Sequence, residues 1–111
     1  MTLSDYQSSA ARTLNPSLGP DDCLLDAAAG LAEEVGEILG QVRKHRFQQR
    51  AVDRDRLVAE LGDALWCLAA VAGTLGVTLD EVAERNLAKL RSRYPEGFTP
   101  AAARERGDGE R

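Results

Sequence analysis

Apolar residues along this chain recur every three or four positions, as they do on one face of an α-helix, and no stretch alternates like a β-strand. Turn and capping residues divide this pattern into separate helices. We predict four helices. The first is opened by a Ser4–Gln7 capping box and ended by Asn15-Pro16, and the second runs from Asp21 or Asp22 to about His45. The third runs from about Arg54 to Ala72, and the fourth from a Thr78–Glu81 capping box to Tyr94. The predicted fold is therefore all-α, an antiparallel bundle of about four helices.

Polar segments set the boundaries of the predicted domain. Residues 47–53 lack helical periodicity and are predicted to form a loop. Residues 99–111 are polar and contain glycine, which predicts a flexible C-terminal tail. Because a chain of 111 residues is long enough for one modest core, we expect residues 1–98 to form a single domain.

The composition, 43% hydrophobic and 29% charged, is typical of a soluble globular protein. A formal net charge of −4 argues against a nucleic-acid partner. Cys23 and Cys67 are far apart in apolar helical sequence, which predicts reduced core thiols in a cytoplasmic protein. The N-terminus lacks the pattern of a signal peptide, and the uncharged residues 64–79 are too few for a membrane span.

The second and third predicted helices carry paired carboxylates beside their apolar faces. Those faces are predicted to consist of Leu31, Val35, Ile38, Leu39 and Val42, and of Leu57, Leu61, Ala64, Leu65, Leu68 and Val71. Glu34 and Glu37 lie on the shoulder of the first face, and Glu60 and Asp63 occupy the same place on the second. If the two helices pack antiparallel across their short loop, all four carboxylates converge.

Converging carboxylates need cations, because two like charges 4 Å apart repel by about 4 kcal/mol at an effective dielectric of 20. An oxygen-only donor set favours Mg²⁺, with Mn²⁺ as a possible substitute, over zinc or copper. The single histidine, His45, lies outside both acidic motifs, which argues against a di-iron bundle. Gly36 and Gly62 are expected to allow a helix or ligand to approach closely. The alternative is that the carboxylates are solvated charges at the edges of amphipathic helices.

The fourth predicted helix carries polar groups of the opposite charge. Asn86 falls within its apolar side, and Lys89 and Arg93 follow along the same edge, one turn apart. An amide and two cations suit a phosphate-bearing ligand, to which Lys presents a point charge and Arg a fork of donors. Alternatively, the two cations only stabilise the negative end of the helix dipole.

Trp66 is predicted to lie on the side of the third helix opposite its leucines, so that this helix is apolar nearly all round. We predict that another subunit covers this side and that the bundle is completed by homo-oligomerisation. The alternatives for Trp66 are packing in the core and stacking on a nucleobase.

Three segments together resemble the MazG-like group of all-α nucleoside triphosphate pyrophosphohydrolases: AEEVGEIL from residue 32, ELGDALWCLA from residue 60, and NLAKLRSRYPEGF from residue 86. The resemblance covers roughly residues 5–98. It implies a Mg²⁺-dependent enzyme that hydrolyses an NTP or dNTP to the monophosphate and pyrophosphate. It further implies a homodimer or homotetramer, often assigned to clearing noncanonical nucleotides.

The same resemblance assigns roles to individual residues. The metal ligands it implies are Glu34, Glu37, Glu60 and Asp63. The contacts to the phosphates it implies are Asn86, Lys89, Arg93 and Tyr94. Glu33 and Glu37 are assigned as catalytic residues, with Glu33 orienting or deprotonating the attacking water.

Two alternatives to this function stay open at the level of sequence. Enzymes specific for dUTP or dCTP, and phosphoribosyl-ATP pyrophosphohydrolases, use similar acidic helices, so the base is not fixed. From another class, a non-catalytic oligomeric helical module with acidic edges would carry the same pattern.

Overall fold

The computed structural model describes residues 1–105 as an all-helical chain without a β-strand, apart from an isolated bridge between Pro95 and Gly97. The helices are α1 Leu3–Ala11, α2 Pro20–Gln48, α3 Arg54–Thr74, α4 Leu79–Arg93 and α5 Pro100–Arg104. The predicted all-α class is confirmed. The fifth helix, α5, lies inside the segment that was predicted to be a flexible tail, and residues 106–111 of that segment lie outside the described residues.

The first two helices begin differently from the prediction. Thr2 caps α1 and forms a reciprocal capping box with Asp5, in which each side chain accepts a hydrogen bond of 3.0 Å from the other residue's backbone N–H. The predicted Ser4–Gln7 box is therefore wrong. Helix α2 begins at Pro20, whose fixed φ suits a first helical position, so Asp21 is part of the first turn and does not cap it. The predicted Thr78–Glu81 box stays a prediction.

Helices α2 and α3 are both longer than predicted, and the loop between them is shorter. Helix α2 continues to Gln48 and ends at Gln49, which adopts a left-handed conformation with φ 53°. Helix α3 begins at Arg54 as predicted and runs to Thr74. The connection is therefore residues 49–53, short enough to hold the two helices as an antiparallel hairpin.

The contacts across this hairpin fix its register. Cys67 lies against Gly30, the carboxyl groups of Glu37 and Glu60 interact, and Arg56 can donate hydrogen bonds to Gln41. Residue numbers thus rise along α2 as they fall along α3, which confirms the predicted antiparallel packing. The described chain divides at Leu79 into two compact units, which are described separately below.

Small residues, most of them alanine, form the core of the first unit. The buried apolar residues are Ala27, Cys67, Ala69, Ala70, Ala72 and Leu79. The side chain of Gln7 ties α1 to this core, because its amide nitrogen donates to the carbonyl oxygens of Ala69 and Val77, both at 3.2 Å. Its amide oxygen accepts from the backbone N–H of Leu79 at 2.8 Å. One side chain therefore joins α1 to the C-terminal end of α3.

The predicted apolar faces of α2 and α3 are only partly correct. Six of the larger apolar side chains on these helices, which we term the exposed apolar group, are solvent-exposed: Val35, Leu39, Val42, Val58, Leu61 and Leu68. Five of these six, all but Val58, had been assigned to the predicted faces. The side of α2 that packs on α3 instead includes Ala27, Gly30 and the half-buried Glu34. Small residues allow the two backbones to approach closely, so the packed side is rotated away from the larger apolar residues.

The side of α3 that carries Trp66 is covered from within the same chain. The indole N–H of Trp66 donates to Thr13 Oγ1 at 2.7 Å. Beside it, residues of α1 and α3 enclose a small apolar cavity of about 40 Å³. Helix α1 and the segment after it therefore pack against part of that side, whereas its cover by another subunit stays a prediction.

Helix α3 is long and apolar enough, by length and composition alone, to cross a membrane, and it is the one such helix within residues 1–105. It packs against both α1 and α2. It also holds the carboxyl group of Glu60, a residue with only 7% of its surface exposed. One helix of this kind, packed on two others, is weak evidence for a membrane span.

Candidate metal centre

Three carboxylates meet between α2 and α3. Glu34 and Glu37 on α2 and Glu60 on α3 each place one oxygen within 4.8 Å of the other two. We term these residues the carboxylate trio. Glu60 is buried, Glu34 is half-buried and Glu37 is exposed, so the site opens to solvent on the side of Glu37. The antiparallel register brings the two helices' acidic motifs to the same level.

Asp63, the fourth predicted ligand, is not part of the trio. It lies one turn beyond Glu60 on the same face of α3 and is exposed. Its negative charge is one of the causes that raise the pKa of Glu37, so it lies near enough to act on the site. Its role as a ligand stays a prediction.

The electrostatics of the trio favour an added positive charge. A hydrogen bond with Glu60 and the negative charge of Glu60 are the main causes that raise the pKa of Glu37, and the nearby Arg56 guanidinium opposes the rise. Negative charges this close together favour the arrival of any positive charge, whether a proton or a metal ion.

A missing hydrogen bond in the trio also favours a hard divalent cation. Glu34 Oε2 is buried and has no hydrogen-bond partner among the described residues. A buried carboxylate oxygen without a donor is costly, and a cation removes that cost. Since all donor atoms are oxygens, Mg²⁺ or Mn²⁺ suits the site better than a soft metal.

Two further residues extend this face, and the sequence analysis missed both. Gln41 follows Glu37 by one turn of α2, and Arg56 precedes Glu60 by one turn of α3. With its oxygen oriented toward Arg56, the Gln41 amide accepts hydrogen bonds from Arg56 Nε at 2.9 Å and Nη1 at 3.2 Å. Helical periodicity, counted outward from the acidic motifs, is the signal that would have found them.

Glu33, Gly36 and Gly62 have surroundings that differ from those expected from the sequence. Glu33 is exposed and is not part of the trio, so its catalytic role stays a prediction. No described atom outside the adjacent backbone would come within 4 Å of a methyl group at Gly36 or Gly62. The expected close approach of a helix occurs instead at Gly30, where such a methyl group would lie 3.2 Å from Cys67 Sγ.

Cys67 lies behind the trio as a buried, free thiol. Burial raises its pKa, and the negative charges of Glu34 and Asp63 raise it further. The thiol is therefore protonated at neutral pH, as expected for an inert core cysteine. Cys23 is also free and is half-buried.

The predicted phosphate contacts belong to the second unit, which begins at Asp80. Asn86 is exposed on α4, whereas Lys89 and Arg93 are half-buried and follow it at intervals of one turn. Tyr94 directly follows the helix, and its ring lies 5.7 Å from that of Phe98, measured between centroids. The role of these residues toward phosphate stays a prediction.

The comparisons with known proteins decide the family. Residues 24–98, which include both acidic motifs and the whole of α4, match the family model of the MazG nucleotide pyrophosphohydrolase domain. The chain belongs to the MazG family. The MazG domain match begins within α2, so α1 lies before it.

Two relatives of this MazG protein span nearly its whole length. The Gene 37 protein of Mycobacterium phage L5 is 39% identical over 105 residues, which cover 87% of this chain and 92% of the relative. The protein YpjD of Bacillus subtilis (strain 168) is 28% identical over 102 residues, covering 88% and 91% of the two chains. No solved structure matches the chain at a comparable level of significance.

Proposed function

We propose that this MazG protein is a Mg²⁺-dependent nucleoside triphosphate pyrophosphohydrolase, which converts an NTP or dNTP and water to the monophosphate and pyrophosphate. The observation that carries this proposal is the carboxylate trio, in which Glu34 Oε2 is buried without a partner among residues 1–105. Within a MazG domain, an oxygen-only cluster of this kind fits the divalent cation that a triphosphate substrate requires.

In this proposal the trio and Asp63 hold Mg²⁺, with Mn²⁺ as a possible substitute. When bound, the ion neutralises phosphate charge and lowers the pKa of a coordinated water. Without a cation, the acidic side chains of the site repel the triphosphate. Oxygen ligands on two packed helices are held firmly, so little reorganisation is needed when a substrate arrives.

The chain's own polar residues account for the remaining steps. The oxygen of a water molecule forms a bond to the α-phosphorus, and the bond from that phosphorus to the bridging oxygen of the β-phosphate breaks. Glu33 orients this water or accepts its proton. The phosphates bind to Asn86, Lys89, Arg93 and Tyr94. The positive charges of Lys89 and Arg93 stabilise the departing pyrophosphate.

We further propose that the protein acts as a homodimer or homotetramer in the cytoplasm. The support is the exposed apolar group, which lies at helical spacing along both α2 and α3. An apolar side that spans two adjacent helices is typical of a subunit interface. A second copy of this chain would cover it.

The test is pyrophosphate release from a panel of canonical and noncanonical NTPs and dNTPs, with and without Mg²⁺. We expect release that depends on Mg²⁺, and preference for a noncanonical nucleotide would support a house-cleaning role. Preference for dUTP or dCTP, or for phosphoribosyl-ATP, would identify one of the more specific relatives. Absence of release from every nucleotide in the presence of Mg²⁺ or Mn²⁺ would favour the non-catalytic helical module.

A further inference from the structure

We propose that Arg56 is a phosphate-binding residue of the triphosphate site and that Gln41 holds its guanidinium in position. This inference rests on the proposed nucleotide hydrolysis and adds a residue that neither acidic motif contains. We term Arg56 and Gln41 the pair. The inference follows from the positions of the pair on α2 and α3, from the hydrogen bonds between the two residues, and from the exposure of the Arg56 side chain.

The pair continues the acidic face toward the α2–α3 loop. On α2, Gln41 lies four residues after Glu37, and on α3, Arg56 lies four residues before Glu60, so each falls on the same helical face as its carboxylate. Arg56 Nε lies 3.8 Å from Oε1 of Glu60, and the charge of the guanidinium also acts on Glu37, the exposed member of the trio. A cation thus borders the open side of the site.

The hydrogen bonds of Arg56 go to a neutral group. Its Nε and Nη1 donate to the neutral amide oxygen of Gln41, at 2.9 and 3.2 Å. Arg56 Nε also forms an ion pair with Glu60 Oε1 at 3.8 Å, a distance longer than a hydrogen bond. The neutral acceptor fixes the plane of the guanidinium, and the ion pair with Glu60 uses none of its N–H groups.

One edge of the guanidinium faces outward. Among residues 1–105 no side chain or carbonyl group accepts a hydrogen bond from Nη2, and 57% of the Arg56 side chain is exposed, against 10% for Glu60. Arginine binds phosphate oxygens through a planar fork of donors, which a lysine cannot reproduce. A fixed, partly exposed guanidinium beside a metal site therefore suits the phosphate chain of a metal-bound nucleotide.

The rival interpretation is structural: Arg56 only neutralises the trio. The two interpretations differ in what they predict for the metal ion alone. If Arg56 only neutralises, Arg56→Gln changes the affinity for Mg²⁺ and leaves the affinity of the Mg²⁺-bound protein for nucleotide unchanged. If Arg56 binds phosphate, Arg56→Gln weakens nucleotide binding at saturating Mg²⁺.

The experiment measures binding of an α,β-imido nucleoside triphosphate by calorimetry at saturating Mg²⁺, since this analogue resists cleavage at the α–β bridge. We expect Arg56→Gln to raise the Kd at least about tenfold, because hydrogen bonds to a charged partner are lost. Arg56→Lys keeps the charge without the fork and should recover only part of the loss. Arg54→Gln, which removes the same charge from an exposed residue two positions earlier, should leave the Kd unchanged.

Gln41→Leu tests the positioning role. It should raise the Kd by a smaller factor in the wild-type background and have no further effect in the Arg56→Gln background, because Gln41 acts through Arg56. Equal affinity of wild type and Arg56→Gln for the analogue would overturn the proposal. So would equal losses in Arg56→Gln and Arg54→Gln, which would indicate a general charge effect.

The outcomes for Arg56 and for the proposed function are separable. If the wild-type protein binds the analogue through Arg56 but releases no pyrophosphate from an NTP, the proposed role of Arg56 in binding holds and the proposed enzymatic activity is wrong. If the wild-type protein and Arg56→Gln hydrolyse NTPs with the same KM, the proposed enzymatic activity holds and the proposed role of Arg56 is wrong. A wild-type protein that binds no triphosphate would refute both.

Discussion

Glu37 and Glu60 lie on different helices, and their carboxyl groups share a hydrogen bond that raises the pKa of Glu37. The relationship exists only because α2 and α3 pack antiparallel with their acidic motifs at the same level. Because the two carboxyl groups lie so close together, a proton and a metal ion compete for the same oxygens.

The first prediction concerns the pH dependence of stability in the absence of metal. Because the pKa of Glu37 is raised above its ordinary value of 4.5, folding favours the protonated form. This stabilisation is complete below pH 4.5 and is lost as pH rises through the raised pKa. Urea denaturation in EDTA should therefore show a free energy of unfolding that falls across this window relative to Glu37→Gln, whose amide does not titrate. If the difference between the two proteins stays constant across this window, the pKa of Glu37 is not raised in the folded state.

The second prediction concerns Mg²⁺ as a stabilising ligand. At 100 times its dissociation constant, Mg²⁺ should add about 2.7 kcal/mol to the free energy of unfolding, and each kcal/mol raises the Tm of a domain this size by roughly 4–8 °C. Glu60→Gln and Asp63→Asn should each abolish most of the shift, and relief of repulsion should raise their metal-free Tm. Asp22→Asn removes an equal charge from the first turn of α2 and should keep the shift. A wild-type Tm that does not respond to Mg²⁺ would contradict the shared metal site.

The third prediction identifies the bond that breaks. Hydrolysis in ¹⁸O-labelled water should place the label in the nucleoside monophosphate, because the water oxygen bonds to the α-phosphorus. Asp63→Asn should reduce turnover strongly through weaker metal binding. Lys89→Ala should act more mildly, and Arg91→Ala, a control on the same helix, should act least. Label in pyrophosphate, or orthophosphate as the first product, would refute attack at the α-phosphorus.

The fourth prediction concerns assembly. Since the exposed apolar group spans two helices, we expect light scattering to show an oligomer at micromolar concentration. Leu61→Asp places a charge within this group and should shift the protein toward monomer or unfold it. Leu25→Asp, at a residue that is similarly exposed but outside the group, should keep the wild-type mass. A compact, folded wild-type monomer would count against the interface.

The fifth prediction concerns the contact between α2 and α3. Gly40→Ala should stabilise the protein by up to about 1 kcal/mol, since alanine is the better helix former and a methyl group there meets no described neighbour within 4 Å. Gly30→Ala should lack this gain, because its methyl group would lie 3.2 Å from Cys67 Sγ. Removing the sulfur with Cys67→Ala should restore the gain in the double variant. Equal effects of the two glycine substitutions in the wild-type background would show that the helices do not pack this closely.

Much of the fold was determined by the sequence itself, because helices are local structures. The period of apolar residues established the all-α class, and Pro95 fixed the end of α4 at Arg93, since the residue before proline avoids helical geometry. Glu34 and Glu37 are neighbours wherever α2 lies, because three residues make nearly one turn. Each acidic pair was therefore predictable before any packing was known.

Only the tertiary structure decided which faces meet. Periodicity shows which residues share a side of a helix, but the side that packs depends on how closely two backbones can approach, and that depends on both helices at once. Gly30 and Ala27 therefore lie on the packed side while Val35 stays exposed, and Trp66 is hydrogen-bonded to Thr13 in the segment after α1. Periodicity likewise places Gln41 and Arg56 each on the face of its own acidic motif, but only the register of the hairpin shows that the two side chains meet.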